Sequence, residues 1–382
     1  MFGFFTPRYA REAIELLKSA RKLLDYKKDL WAVSDLGEFE ASMRRLDSAV
    51  GRRDEKAVAE GAKQLDQLAA KLSPPPKDAG WRENCEVFLV AIVVALGVRT
   101  FFLQPFTIPT GSMQPTLNGI IGHPMKGPLP NIFKRAAQVL LLGRGYIDVV
   151  CREDGTVTNM VEVQRFRFFT YTQIQCGGET YTVHAPRDTL YNYWHVDLGR
   201  EYHKGDVIAR GAVDTGDHVF VDKVSYNFRV PRHDEVFVFK TTGIAKIEGR
   251  HSPELGSQFY IKRLGGLPGD ELRIDPPALY QNGEPAHGYG YERVMSAKNG
   301  YRGYSNTAEY LFPDGTAQYH PMTYLSDPQS TFRVPQKCYF ALGDNSFHSS
   351  DSRDWGTVPQ QNIMGRGLFV YWPFNSHWGL IK

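Results

Sequence analysis

The segment from Cys85 to Leu103 constrains this chain more than any other. It is almost wholly apolar. As an α-helix it would reach about 28 Å, close to the roughly 30 Å hydrocarbon thickness of a bilayer. Such a segment must either be buried as a core helix or cross a membrane. Its charge-free stretch, Val87 to Val98, is short for a span, and Arg99 lies inside the segment. Near a helix end, however, an arginine can snorkel to the interface. The run starts too far into the chain to be a cleaved N-terminal signal peptide, so it reads as an uncleaved anchor.

Charge sets the expected orientation. Residues 1–83 hold 16 Lys and Arg against 14 Asp and Glu, and after the span no Lys or Arg occurs before Lys126. Lys71, Lys77 and Arg82 sit on the N-terminal side, which the positive-inside rule places in the cytoplasm. The bulk of the chain is then outside. A net charge of +3 is too small to argue for a nucleic-acid partner.

The region before the span, 1–73, reads as helical. Thr6-Pro7 resembles an N-cap followed by proline at the first helical position. Ala10, Ala13, Leu17, Ala20 and Leu24 mark one helical face, and Val58, Ala62, Leu65, Ala69 and Leu72 mark another. A further helical stretch lies near 37–50. A helical hairpin or small bundle is expected, with its stripes buried on one another or used for self-association. Pro74-Pro75-Pro76 opens a stiff linker over 74–84, ahead of the anchor at 85–103.

After the span the pattern is mainly β. Strand-like runs include Tyr146–Arg152, Thr156–Val163, Arg165–Tyr171, Tyr181–His184, Asp217–Tyr226, Glu235–Lys240, Gln258–Leu264, Lys337–Leu342 and Gly367–Trp372. Many are separated by Gly-Asp, Asn-Gly or Pro-Gly turns. No convincing helix stands out here. An antiparallel β-barrel-like catalytic region over 104–382 is expected. The four cysteines form no C-x-x-C pair, and no metal cluster or cofactor motif is evident. Cys151 and Cys176 could form a disulfide in this outer region, or pack as separate buried thiols.

Chemistry enters at Ile108-Pro109-Thr110-Gly111-Ser112-Met113, directly after the span. A serine held in that turn could attack a substrate emerging from the bilayer, but serine needs an adjacent base. Tyr260-Ile261-Lys262-Arg263-Leu264-Gly265-Gly266-Leu267-Pro268-Gly269-Asp270 supplies a lysine in an apolar strand. Lysine acts as a base only when neutral, so burial must lower its ordinary pKa of about 10.4. Two further blocks follow the same order: Gly216-Asp217-His218-Val219-Phe220-Val221-Asp222-Lys223, and Gly343-Asp344-Asn345-Ser346-Phe347-His348-Ser349-Ser350-Asp351-Ser352-Arg353.

Together these blocks resemble the bacterial type I signal peptidases (leader peptidases), membrane-anchored serine proteases with a Ser-Lys dyad. The resemblance covers roughly 85–118 and 216–374. It implies a β-rich catalytic core with Ser112 as nucleophile and Lys262 as general base. It implies an oxyanion site from the Ser112 N–H and the Thr110 hydroxyl, and a lysine-orienting role for Ser349. Arg263, Asp344, Asp351 and Arg353 would form ion pairs tying the loops. Phe106, Ile108, Val238 and Ile261 would wall the substrate subsites, admitting small residues at and two before the cut; plain core packing is the alternative for each. The implied partners are secretory preproteins and membrane lipid. The implied location is the bacterial cytoplasmic (inner) membrane, with the catalytic region on its outer face.

Ser346 departs from the family pattern, which has arginine there. Residues 118–215 and 275–333 form inserts of no evident function. Among rival readings, His218 or His348 could serve a Ser-His-Asp hydrolase, but no G-x-S-x-G elbow is present. Ser19-Ala-Arg-Lys22 matches S-x-x-K without the Lys-Thr-Gly that should accompany it. Self-cleaving repressors share Ser-Lys chemistry but lack an anchor. An inactive anchored module that binds signal sequences would have no use for both Ser112 and Lys262.

Overall fold

In the computed structural model the described residues are 7–74, 79–165, 169–248, 258–312 and 316–382. Thr6, Pro75, Pro76 and Lys77 lie outside them, as does the centre of the strand expected over Arg165–Tyr171. The chain divides into two compact units, Met1–Val93 and Val94–Lys382.

The first unit contains α1 (Arg8–Lys27), α2 (Val33–Arg52) and α3 (Glu55–Leu72). Pro7 occupies the N-cap position of α1 rather than its first turn. The three helices pack as a bundle, burying Ala13 and Ala20 against Phe39, Leu46, Val58 and Leu65. The Asp54 side chain caps α3 by accepting from the Ala57 N–H at 3.1 Å. Tyr26, Leu30 and Val33 stay exposed around the α1–α2 turn.

Helix α4 runs from Ala79 to Phe101. It therefore starts within the expected linker and stops before Leu103, which opens a strand. Gly80–Phe101 is long and apolar enough to cross a membrane, and none of that window is buried.

The second unit is mainly antiparallel β. Its principal sheet orders Leu103–Thr107, His218–Asp222, Ile363–Trp372, Val236–Lys240, Phe259–Gly266, Cys338–Leu342 and Val358–Pro359, with Gly379–Leu380 on the Ile363–Trp372 strand. Residues 121–214 build a three-stranded and a four-stranded sheet around Ile147, Ile174, Val183, Leu190 and Ile208. Residues 271–333 carry a four-stranded sheet and the hairpin Thr307–Leu311/Ala317–Pro321.

Helices also occur in this unit, contrary to the sequence expectation. They include α5 (Ile132–Leu142), Arg187–Trp194 and Tyr289–Met295. Asn131 caps α5 through the Lys134 N–H at 2.9 Å, and Gly143 ends it in the left-handed region. Cys151 and Cys176 are buried free thiols, so the disulfide is not formed. Cys151 Sγ instead lies 2.9 Å from the Glu153 carbonyl.

Candidate active site

Ser112 sits on a short 3-10 turn, Gly111–Met113, just beyond the strand Leu103–Thr107. Two apolar anchors fix this loop: Met113 and Leu117 are 0% and 1% exposed, in one cluster with Ile108, Val219 and Val238. Asp217 fixes its base. The Ile108 N–H donates to the Asp217 carbonyl at 2.9 Å, the Asp217 N–H to the Asn118 carbonyl at 2.8 Å, and the Asn118 N–H to the Asp217 carboxylate at 2.7 Å. Asn345 holds the turn itself. Its N–H donates to the Ser112 carbonyl at 3.1 Å and its side-chain amide to the Gly111 carbonyl at 3.1 Å. The blocks containing Asp217 and Asn345 are visible in the sequence. These bonds are not, because they join residues distant along the chain.

Lys262 enters from the centre of Phe259–Gly266, opposite Phe237. It is 4% exposed, and its Nζ lies 2.6 Å from Ser112 Oγ and 3.2 Å from the Ile261 carbonyl. The Tyr260 ring lies 5.4 Å from the ammonium. Burial lowers the lysine pKa from 10.5 to about 8, against the upward pull of Asp351 and Asp344. Desolvation wins because neither carboxylate is bonded to Lys262; both are committed to arginines.

Those arginines are fully buried. Arg263 donates from Nε and Nη2 to Asp344 at 2.8 and 2.7 Å, and from Nη1 to the Asp234 carbonyl at 2.7 Å. Asp344 also accepts from Thr116 Oγ1. Arg353 donates to both Asp351 oxygens at 2.9 and 2.8 Å. Asp351 in turn accepts the Gly343 N–H at 2.9 Å. Gly343 is required by close approach: a Cβ there would lie 2.1 Å from Ser349 Oγ and 2.6 Å from the Ser112 carbonyl.

Ser346, the departure from the family pattern, has a role of its own. Its Oγ accepts from Arg353 Nη1 at 2.7 Å and from the Ser305 N–H at 2.9 Å, while its carbonyl accepts from Arg353 Nη2 at 2.6 Å. Ser346 thus receives both Nη atoms of Arg353, one on its hydroxyl and one on its carbonyl.

Ser349 differs from expectation. Its Oγ is buried at the site but makes no hydrogen bond among the described residues, so the expected bond to Lys262 is not made. Its backbone, just after a 3-10 turn, sets the side chain against Gly343 instead. Thr110 is exposed and extended (φ −113°, ψ 154°), and its hydroxyl makes no capping bond to the turn. Of the expected subsite walls, Ile108 and Val238 are each 2% exposed and belong to the apolar cluster; Phe106 and Ile261 are half-buried at its edge.

The histidines are engaged elsewhere. His218 meets Thr107, Thr215 and Tyr371, and burial lowers its pKa. His348 lies 3.0 Å from Glu309.

Comparison with known proteins identifies the family. The family model described as "Signal peptidase, peptidase S26" matches residues 81–121 and 165–372. A probable signal peptidase I-1 of Synechocystis is 31% identical over 170 residues, 44% of this chain and 67% of that protein. A signal peptidase I of Leptolyngbya laminosa is 31% identical over 163 residues, covering 43% of this chain and 64% of its own. The chain thus spans about two thirds of these relatives. A crystal structure of a signal peptidase I from Enterococcus faecalis is 29% identical, covering 36% of this chain and 97% of that one, with a TM-score of 0.23. On its family match, the chain belongs to the signal peptidases of the peptidase S26 family, serine endopeptidases that remove signal peptides.

Proposed function

We infer that this chain is a membrane-anchored signal peptidase that cuts exported preproteins with a Ser112–Lys262 dyad. The observation that carries the reading is the 2.6 Å contact between Lys262 Nζ and Ser112 Oγ, at a lysine whose pKa burial has lowered to about 8. Neutral Lys262 takes the proton from Ser112 as Oγ bonds to the scissile carbonyl carbon. The negative charge moves to the carbonyl oxygen, where the Ser112 N–H and the Thr110 hydroxyl donate to it. The Lys262 ammonium then protonates the leaving amine as the C–N bond breaks. Lys262, neutral again, deprotonates the water that hydrolyses the acyl-enzyme.

Phe106 and Ile261 are half-buried members of the apolar cluster, and Ile108 and Val238 are buried in it. A shallow apolar subsite of this kind suits small side chains at the cut and two before it. Helix α4 is the anchor. Basic residues at and before its N-terminal end, Arg82 and Lys71 among them, favour a cytoplasmic helical region over 1–73 and a catalytic region on the outer face of the bacterial cytoplasmic membrane.

The test is cleavage of a purified preprotein in detergent by the wild type, Ser112→Ala and Lys262→Ala. Both variants should be inactive while folded. Substantial cleavage by Lys262→Ala that then depends on His218 or His348 would overturn the dyad.

A further inference from the structure

Helix α5 is mounted the wrong way round for a helix of a water-soluble domain. Arg135 and Gln138 are its half-buried residues. Gln138 accepts from the Tyr146 hydroxyl at 2.6 Å, and the Arg135 guanidinium lies 5.7 Å from the Tyr146 ring centre. Its apolar residues point outward: Ile132, Phe133 and Leu140 are 72%, 84% and 73% exposed. An amphipathic helix ordinarily turns its apolar face inward. The inverted mounting leaves a large apolar surface to be covered by something other than this fold.

The surroundings indicate what covers it. The Phe374 N–H donates to the Leu141 carbonyl at 3.0 Å, and the Phe374 and Trp378 rings lie 6.3 Å apart, both more than half exposed. Exposed aromatic residues beside an apolar helix face suit a membrane–water interface. Between Lys126 and Asp148 there is no acidic residue, while Lys126, Lys134, Arg135 and Arg144 are basic. Arg144 is paired with Asp214, but Lys134 is exposed on the flank of the apolar face. That charge complements anionic headgroups. Residues 122–164, which include α5, lie outside the stretches matched by the family model.

The helix is also tied to the active-site end of the principal sheet. Trp372 Nε1 donates to the Leu140 carbonyl at 2.9 Å. Trp372 is the register partner of His218, which is in turn the partner of Thr107, where the strand ahead of Ser112 ends.

We propose that α5 is an interfacial helix whose apolar face, with Phe374 and Trp378, rests in the headgroup–acyl boundary of an anionic bilayer and sets the position of the Ser112 loop over it. This rests on the reading of α4 as an anchor.

The test uses the full chain reconstituted in vesicles of phosphatidylglycerol and phosphatidylcholine. In a Cys85→Ser, Cys338→Ser background, a nitroxide is placed at Leu140→Cys or, as a control, at exposed Lys298→Cys. At 140 the label should be more accessible to oxygen than to a water-soluble nickel chelate, the inverse of the control. The contrast should shrink in phosphatidylcholine alone. Phe133→Glu should reduce it too, and should lower cleavage of a vesicle-inserted preprotein more than cleavage of a short soluble peptide in detergent.

A chelate-accessible label at 140 in a chain that resists carbonate extraction would overturn the proposal and leave the anchor standing. A chain released by carbonate would overturn the anchor reading and the proposal with it. Protection that persists in detergent and grows with protein concentration would assign the face to a second copy instead. A contrast of equal size in both lipids would overturn the anionic preference.

Discussion

The principal sheet and the β unit of residues 121–214 are both antiparallel, but they bury different things. The 121–214 core is aliphatic and aromatic, with Ile174 and Leu190 fully buried. Among the described residues its buried polar side chains include Thr172, bonded to the Ala185 carbonyl at 2.7 Å, and Thr189. Around the principal sheet the buried set includes Lys262, Arg263, Asp344, Asp351, Arg353 and Asp217. Burying charge is costly unless it is paired and hydrogen-bonded. Four of these six form two arginine–carboxylate pairs, and Asp217 accepts from Asn118 and lies 2.7 Å from His377. Lys262 alone touches no carboxylate. Its environment disfavours the ammonium, so the neutral amine that can act on Ser112 forms near pH 8 rather than above pH 10.

The largest effect should come from removing the dyad. Ser112→Ala and Lys262→Ala should each reduce turnover by on the order of 10⁴-fold or more, and the double variant should be little worse, because the two act as a unit. Additive losses in single-turnover cleavage would contradict this.

A second test is to damage both regions to a similar degree. Asp344→Asn leaves Arg263 buried without its partner and should cost about 3–5 kcal/mol in denaturant unfolding. Ile174→Ala should cost about 2–5 kcal/mol through the cavity it leaves. Only Asp344→Asn should move the pH–rate profile. It removes a negative charge that raises the Lys262 pKa, so the rise in activity should shift to lower pH. Equal profiles for the two variants would dissolve the distinction.

The third concerns Thr110. Thr110→Val keeps the branched shape and removes the hydroxyl, so the cleavage rate constant should drop by roughly 10²–10³ with little change in affinity. Thr110→Ser should stay near wild type. Valine and serine behaving alike in a cleavage assay would make Thr110 a turn residue only.

The smallest effect has the opposite sign. The folded-state pKa of Lys262, about 8, is below the ordinary value of 10.5. The folded protein binds fewer protons between those values, so stability rises with pH across that window. Below pH 8 the buried ammonium costs on the order of 3 kcal/mol. Lys262→Met should therefore raise the melting temperature at pH 7 while abolishing activity, and the gain should fade above about pH 10.5.

The sequence showed the chemistry more clearly than its supports. Ser112 and Lys262 stand in blocks whose residue types report their roles, and the apolar, strand-like run before the Leu267-Pro268-Gly269-Asp270 turn placed the lysine on a strand. The Asp217 clamp, the Asn345 bonds and the Ser346–Arg353 contact join residues far apart in sequence, so only the fold brings them together. Helix α5 carried readable caps in Asn131 and Gly143. Nothing in its periodicity said that its polar face would turn inward, because a stripe does not specify which side of it the domain occupies.

Burial poises Lys262 beside Ser112 as a base that loses its proton near pH 8. The most direct measurement is the titration of lysine side chains in the detergent-solubilised protein by ¹³Cε–¹⁵Nζ NMR, with Lys262→Met to assign the signal. One resonance should titrate near pH 8, be absent from the variant, and have a midpoint matching the rise in kcat/KM. A Lys262 signal that titrates at the ordinary lysine value of about 10.4 would contradict it.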